Sequence, residues 1–223
     1  MYNISISPAI SKSIPDLLLG IITAEVHNTP HNDLLWKKIS EQSEKIIANY
    51  PLDVIKNQPQ IHATREAYKL LGKDPNRYRP SAEALYRRIV KGYPLYQIST
   101  LVDLINLISL SSGYSIGGFD ADKINGKIRL DVGSSDDSFF AIGRGELNIE
   151  NLPVYYDESG PIGTPTSDHV RTSIDMNTNH IFMIINAFRG NREMLSEWIE
   201  VVKKLIELHT NGKNIADHII KPQ

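Results

Sequence analysis

Residues 99–122 read STLVDLINLISLSSGYSIGGFDAD, and this stretch joins two halves of the chain that differ in character. Its first part carries apolar residues at helical spacing over 99–110 and predicts a helix that ends at Gly113. From Tyr114 onward, Gly, Asp and Asn alternate with short runs of β-prone residues, a pattern typical of strands joined by turns. The chain therefore changes from helices to sheet near Gly113.

The elements on either side of this stretch place helices first, strands later and a covering helix last. A strand is predicted over 17–26, and three helices follow it. The first spans 31–50 with Asn32 or Asp33 as its cap, the second spans 59–71, and the third runs from Pro80 to Gly92 with Ser81 as its cap. Strands are predicted at 127–132, 138–142, 154–156 and 181–188, followed by an amphipathic helix at 192–209. This order predicts an α+β fold, not an alternating βαβ one.

Length and composition limit the possible functions. The chain has 223 residues, enough for one domain with a large core, and its 41% hydrophobic content is ordinary. Its 24 Lys and Arg against 26 Asp and Glu give a net charge of −2, which excludes a protein that grips nucleic acid by bulk charge alone. The lack of Cys excludes disulfides, thiolate catalysis and cysteine-ligated metals. Residues 1–5 lack the start of a signal peptide and no apolar run spans a membrane, so we expect a cytoplasmic protein.

Common catalytic motifs are absent from the sequence. The histidines show no metal-ligand spacing, the nucleophile elbow is missing, and the glycine-rich segments lack the residues of a phosphate-binding loop. Asp120 and Asp122 could hold a divalent ion, but an isolated D-x-D is more often a turn or a cap. We therefore expect no metal and no cofactor.

A basic segment at 73–91 stands above the background of the chain. Its basic residues are Lys73, Arg77, Arg79, Arg87, Arg88 and Lys91, with Tyr78 and Tyr86 interleaved. Such a segment can contact phosphates and stack on bases. The alternative is a solvated helix face with internal ion pairs.

Three polar features are candidates for a site. Asp103 and Asn106 are three residues apart on one edge of an apolar helix, where they either bind a ligand or tie down a neighbouring loop. The turn at 113–122 and the polar loop at 160–175 lie beside predicted strands. Polar loops on a rigid sheet often carry sites, although they also form ordinary Asx and Ser/Thr turns.

Four stretches follow one another in a distinctive order. They are 79–88 (RPSAEALYRR), 101–106 (LVDLIN), 118–126 (GFDADKING) and 154–161 (VYYDESGP), leading to Thr178 and the strand at 181–188. In this order they resemble the editing domain of the phenylalanyl-tRNA synthetase β subunit, its third and fourth domains taken together. The resemblance covers about 79–188, within a single domain of residues 1–223 that adds an N-terminal helical segment and the helix at 192–209.

The resemblance implies β-sheets packed in layers with helices on one side, and a site for the aminoacyl end of tRNA. In the synthetase, this domain hydrolyses tRNA mischarged with tyrosine. Asn106, Phe119 and Asp120 match the family. A pocket histidine of bacterial members falls on Gly117, the glutamate that reads the tyrosine hydroxyl falls near Ile184, and paired glycines are replaced by 164–168. The tyrosine-reading residues are therefore missing, and the chain looks like a freestanding member of the family.

Three functions follow from these observations. The first is hydrolysis of mischarged aminoacyl-tRNA in trans, in which Asp168 or a substrate hydroxyl orients a water molecule. The pocket predicted for this reaction consists of Asn106, Gly117, Gly118, Phe119, Asp120, Thr164, Thr166 and Ser167. The backbone amides of 117–118 and 164–168 are the predicted oxyanion donors. The predicted RNA contacts are Arg77, Arg79, Arg87, Arg88 and Lys91. The second is a non-catalytic module that binds tRNA or a free amino acid. The third is a small-molecule enzyme that reuses the fold.

Overall fold

The computed structural model describes residues 4–222 and has three layers, one of helices and two of β-sheet. The helices are α1 (Pro8–Ser13), α2 (Asp33–Asn49), α3 (Pro59–Leu70), α4 (Ser81–Val90), α5 (Thr100–Ser112) and α6 (Arg192–Thr210). The strands are β1 (Ile4–Ile6), β2 (Leu18–Glu25), β3 (Ile116–Asp120), β4 (Ile128–Val132), β5 (Phe140–Ala141), β6 (Gly145–Glu146), β7 (Pro153–Asp157), β8 (Gly160–Thr164), β9 (Ser167–Asp168), β10 (His180–Ala187) and β11 (Lys213–Ile220). This confirms the α+β class.

The two larger sheets face each other. One has the order β1-β4-β7-β8-β9 and the other the order β11-β2-β10-β3, while β5 and β6 form a separate small ribbon. Strand β10 lies inside the four-stranded sheet and pairs antiparallel with β2 along its whole length and with β3 on its other side. As a result, β3 and β9 each form one edge of their sheet.

The side chains of β10 alternate between the two cores. Met183 and Ile185 pack against the helical layer, whereas Phe182 and Ile184 pack against the five-stranded sheet. A strand buried on both faces reads as a continuous apolar run, which is why it is visible in the sequence. The amphipathic stripe of α6 is likewise buried against the four-stranded sheet.

Several local predictions need correction. Gly117 and Gly118 lie within strand β3 and not in a turn, and much of the polar segment at 160–175 forms β8 and β9. Pro80, not Ser81, occupies the N-cap of α4 and makes no side-chain cap bond there. The strand expected at 138–142 shortens to Phe140–Ala141, and β11, β1 and α1 were not predicted.

Residues 1–3 and 223 lie outside the described residues. They include most of the segment that was compared with a signal peptide, and both ends of the predicted single domain. Among the residues that the structure describes, no helix is both long enough and apolar enough to cross a bilayer.

Helix α5 is capped by a residue distant in sequence. Asn28 Oδ1 accepts a hydrogen bond from the Leu101 backbone N–H (3.1 Å) and its Nδ2 donates to the Asp175 carbonyl (2.8 Å). Ser99 occupies the N-cap position itself, but its buried Oγ has no hydrogen-bond partner among the described residues. The usual role of the N-cap side chain is therefore filled by Asn28.

We expect Asn28→Ala to lower the free energy of unfolding by about 1–2 kcal/mol, because it removes a cap and leaves buried groups unpaired. Ser99→Ala is the matched control and should change it by less than about 0.5 kcal/mol, because the hydroxyl that it removes bonds to nothing. Urea unfolding of both variants measures the difference. Equal losses in the two variants would contradict this assignment of the cap.

Candidate functional site at the junction of the two sheets

The edges of the two sheets meet at Asp168. This residue ends the edge strand β9, and its Oδ2 accepts a hydrogen bond from the backbone N–H of Gly118 in the edge strand β3 (3.2 Å). The residue predicted from sequence to orient water thus joins the two layers, next to two of the predicted pocket residues.

Glycines make room for this carboxyl group. A Cβ atom on Gly163 would lie 2.8 Å from Asp168 Oδ1 and 2.7 Å from the Phe119 ring. A Cβ atom on Gly117 would lie 2.9 Å from the same ring and 3.6 Å from Asp168 Oδ1. The lack of a side chain at Gly163 therefore leaves room for both the Asp168 carboxyl group and the Phe119 ring, and its lack at Gly117 leaves room for the ring.

The surroundings of Asp168 favour its protonated form. Burial raises the pKa of Asp168 to about 7, although the hydrogen bond from Gly118 opposes the shift. An ordinary aspartate has a pKa of about 3.9. At neutral pH this carboxyl group can thus both accept and return a proton, as a general acid–base catalyst must.

A set of buried hydroxyl and amide groups lies behind the junction. Tyr68 and Thr166 share a hydrogen bond between their hydroxyls (2.9 Å), and Tyr155 donates to Asn186 Oδ1. Asn186 Nδ2 in turn donates to the Ser115 carbonyl (2.9 Å). Sequence analysis missed Tyr68, Tyr155 and Asn186, because single polar residues in apolar elements give no pattern before the fold brings them together.

The turn between β8 and β9 is held by its own side chain. Thr164 Oγ1 accepts hydrogen bonds from the backbone N–H groups of Thr166 (3.0 Å) and Ser167 (3.1 Å). These two amides and that of Gly118, all expected as oxyanion donors, therefore already have side-chain partners. A substrate oxygen would have to replace those partners to use them.

The other predicted pocket residues take structural places around β3. Phe119 is fully buried and packs against Phe182, with 6.0 Å between the ring centroids. Asp120 Oδ2 accepts from Thr178 Oγ1 (2.8 Å) and its Oδ1 accepts from the Asp122 N–H (3.1 Å). Asn106 is half-buried on α5.

Asp103, paired in the sequence with Asn106, ties down a loop. Its Oδ2 accepts from Trp36 Nε1 (2.6 Å) and its Oδ1 accepts from the Ile98 backbone N–H (3.3 Å). Burial raises the pKa of Asp103, while these hydrogen bonds lower it. The loop-tying alternative therefore describes this residue.

The basic segment divides into internal and exposed charges. Lys73 is buried and donates to the carbonyls of Asn148 (3.0 Å) and Glu150 (2.6 Å). Arg87 Nε donates to Glu83 Oε1 (2.7 Å). In contrast, the predicted RNA contacts Arg77, Arg79 and Lys91 are exposed, and Arg88 is half-exposed.

The start of α4 lies next to the sheet junction. The Ser81 N–H donates to the carbonyl of Pro165 (2.8 Å), which lies in the turn between β8 and β9. The exposed Arg79 is two residues away from this contact. Tyr86 is buried and donates to the Leu110 carbonyl (2.8 Å), so it does not offer the stacking surface that the sequence suggested.

Two described cavities lie away from this junction, on either side of α2. One of about 410 Å³ lies between α2 and residues 92–97, and one of about 310 Å³ lies between α2, α5 and α6. Neither is lined by a predicted pocket residue. Within residues 4–222, no group of three or more His, Asp or Glu side chains is arranged to hold a metal ion.

Comparison with known proteins places this arrangement in a family. Residues 63–197, more than half of the chain, match the model of the B3/4 domain, which is found in the phenylalanyl-tRNA synthetase β subunit. No curated protein matches the chain. Among solved structures, an N-terminal fragment of the phenylalanyl-tRNA synthetase β subunit from Pyrococcus horikoshii is similar, with 13% identity and a TM-score of 0.47. The match covers 98% of this chain but only 54% of that fragment. The match to the family model confirms the resemblance seen in the sequence motifs, and the chain belongs to the B3/4 domain family.

Proposed function

We propose that this chain binds the aminoacyl end of tRNA in the cytoplasm and hydrolyses mischarged aminoacyl-tRNA in trans, with Asp168 as the general base. The observation that carries the proposal is the carboxyl group at the sheet junction, whose pKa burial raises to about 7. Its Oδ2 is held by the Gly118 N–H, and the lack of a side chain at Gly163 leaves room for its Oδ1. A base with a pKa near the working pH is the most effective kind.

The reaction requires only water in addition to the ester. Asp168 Oδ1 accepts a proton from a water molecule as the water oxygen attacks the ester carbonyl carbon. The bond between that carbon and the ribose oxygen then breaks, and the proton passes from Asp168 to the departing ribose oxygen. The products are the free amino acid and a tRNA with a free 3′-terminal hydroxyl group. No side chain forms a covalent bond.

We propose that the substrate is not selected by a tyrosine hydroxyl. Gly117 has no side chain at the place of the family's histidine, and Ile184, near the place of its glutamate, is fully buried in the apolar core. Selection against tyrosine relies on polar groups that pair with its hydroxyl, and these two positions supply none. The panel of candidate substrates must therefore extend beyond tyrosine.

We further propose that the tRNA acceptor arm contacts Arg77 and Arg79, which are exposed in the segment before α4. The contact between Ser81 and Pro165 keeps this end of α4 beside the turn that carries Ser167 and Asp168. Phosphate contacts of this kind position a nucleic acid without reading its sequence.

A non-catalytic module that binds tRNA or a free amino acid is the second candidate. It is favoured by the amides of Gly118, Thr166 and Ser167, which are already bonded to side chains. It predicts binding of charged tRNA without hydrolysis.

Deacylation of a panel of charged tRNAs tests the proposal. We expect hydrolysis of at least one mischarged species at neutral pH, with a rate that rises as Asp168 ionises around pH 7. Asp168→Asn should lower the rate at least 100-fold, the usual contribution of a general base. Its affinity for the tRNA should change less than twofold, because the base acts on water.

The matched control is Asp136→Asn, which removes an exposed carboxylate on another loop. It should leave the rate unchanged. Hydrolysis that is equal in the wild type and in Asp168→Asn contradicts the assigned base. Tight binding of charged tRNA without hydrolysis of any species in the panel would contradict the deacylase proposal and support the non-catalytic binding module.

A further inference from the structure

The segment that follows α4 displays two tyrosines on the surface. Tyr93 is 59% exposed and Tyr96 is 66% exposed, although tyrosine rings usually bury much of their area. The Arg88 side chain lies between them, with its guanidinium carbon 4.0 Å from the centroid of the Tyr96 ring and 6.0 Å from that of Tyr93. We call Arg88, Tyr93 and Tyr96 the stacking platform.

The stacking platform is held in place before any ligand arrives. Arg88 Nε donates a hydrogen bond to the Pro94 carbonyl (2.7 Å), which ties the end of α4 to the loop that carries both rings. Cation–π contact keeps the guanidinium against Tyr96. Because the groups are already ordered, little conformational entropy is lost when a flat ligand stacks on them.

The chain segment that carries the stacking platform is positively charged. Residues 84–102 contain no Asp or Glu, and Lys91 is exposed directly before the loop. Arg87 is paired with Glu83, which leaves Arg88 and Lys91 as the charges of this segment that face a ligand. Exposed aromatic rings beside unpaired basic groups are the combination that binds single-stranded nucleic acid.

A cavity lies next to the platform. It has a volume of about 410 Å³, and its lining includes Tyr93, Trp36 and Gln97 with the carboxylate of Glu44. Ligand pockets commonly measure roughly 300–1,000 Å³. The Gln97 amide and the Glu44 carboxylate can accept hydrogen bonds from the amino group of a base, while the rings cover its faces.

We propose that the stacking platform and this cavity bind one or two unpaired nucleotides of an RNA strand, whose phosphates contact Arg88 and Lys91. The proposal deepens the proposed function, because it rests on RNA as the partner and adds a contact surface separate from Asp168. Helix α4 connects the two places. Its 10 residues span about 15 Å from the sheet junction to the platform.

Binding of a labelled 12-nucleotide single-stranded RNA of mixed sequence tests the proposal, with the same sequence as a duplex for comparison. We expect the single strand to bind more tightly, because only unpaired bases can stack. Tyr93→Ala and Tyr96→Ala should each weaken binding about tenfold. Tyr96→Phe keeps the ring and should bind as the wild type does.

Lys91→Gln should reduce the slope of log K against log salt by about 0.7, the value for one phosphate contact on a single strand.

Trp36 provides a second readout. In a Trp198→Phe background it is the one remaining tryptophan of the chain, and it lines the cavity. Its fluorescence should be quenched when the single strand binds, and Tyr93→Ala should abolish most of the quenching. The matched controls are Leu208→Ala, which removes an equally exposed apolar side chain on α6, and Lys12→Gln on α1. Both should bind as the wild type does.

Three outcomes overturn the proposal: a duplex that binds as tightly as the single strand, platform variants that match the wild type, or no binding at low salt. The experiments distinguish failure of this RNA-binding proposal from failure of the proposed deacylase activity. Asp168→Asn should bind the oligonucleotide normally, so an inactive protein that still shows tyrosine-dependent RNA binding refutes the deacylase alone.

Discussion

Asp168→Asn is expected to stabilise the folded protein by up to about 4 kcal/mol at pH 8 and to change its stability little at pH 4. Burial raises the pKa of Asp168 to about 7, whereas in the unfolded chain it returns to about 3.9. Between these values the folded state keeps a proton that the unfolded state has lost. The wild-type free energy of unfolding therefore falls as pH rises through this interval, by about 1.4 kcal/mol for each pH unit.

Asparagine keeps the geometry without the charge. Its side-chain oxygen can still accept the hydrogen bond from the Gly118 N–H, so the sheet junction stays joined. Urea unfolding at pH 4, 6 and 8 measures the effect as a widening difference between the variant and the wild type. A difference that stays constant with pH would show that this carboxyl group ionises normally.

Asp157 provides a control of opposite sign. Its side chain is fully buried, and burial alone would raise the pKa, but hydrogen bonds from Arg171, Asn125 and Ser159 hold the pKa of Asp157 below its usual value. Its contribution is therefore present above the unfolded-state pKa and is lost as pH falls through the lower folded-state value. Asp157→Asn should destabilise the protein at pH 7, in contrast to Asp168→Asn.

Glu83→Gln is expected to lower the free energy of unfolding by about 3–5 kcal/mol. The Glu83 carboxylate is fully buried, and it accepts from Arg65 Nη1 (2.8 Å) and Arg87 Nε (2.7 Å). Arg65 is itself buried, so the substitution leaves a guanidinium group without its counter-charge in a medium that solvates it poorly. Arg65 also donates hydrogen bonds to the Pro75 carbonyl (3.0 Å) and to Asn76 Oδ1 (2.7 Å). The same arginine therefore also holds the turn before α4.

Glu66→Gln is the matched control, because Glu66 is half-exposed and pairs with Lys69 on the surface of α3. It should change the free energy of unfolding by less than about 0.5 kcal/mol. Adding Arg65→Met to Glu83→Gln should recover part of the loss, since an apolar side chain needs no counter-charge. Urea unfolding at pH 7 measures all three variants, and equal effects of the two glutamate substitutions would contradict this assignment.

The predictability of each element depended on how its side chains are buried. Helix α6 and strand β10 were predicted because their apolar residues follow one period and pack on one or both sides. For strand β3 the sequence predicts a turn, because of Gly117 and Gly118, and this prediction is wrong. The glycines serve there for close approach, since a Cβ at Gly117 would meet the Phe119 ring and one at Gly118 would lie 2.3 Å from Ile105.

Other elements lack a readable period. Strand β8 reads GPIGT, which resembles a turn, and it forms a strand because β7 pairs with it across the bend at 157–160. Strand β11 is half-buried along most of its length, so its polar and apolar residues do not alternate clearly. The polar loop in the sequence predicts Asp168 as a water-orienting residue, but its joining of two sheets follows from long-range packing that no local pattern contains.

The hydrogen bond between Asp168 and Gly118 also bears on the exposure of a sheet edge. Strands at the edge of a sheet carry unpaired N–H groups on which a second chain can add a strand and begin an aggregate. Here β3 and β9, edges of two different sheets, lie against each other, and a carboxyl side chain occupies an N–H group that would otherwise be open. The same contact that holds the proposed base thus occupies one N–H group on which a neighbouring strand could otherwise pair.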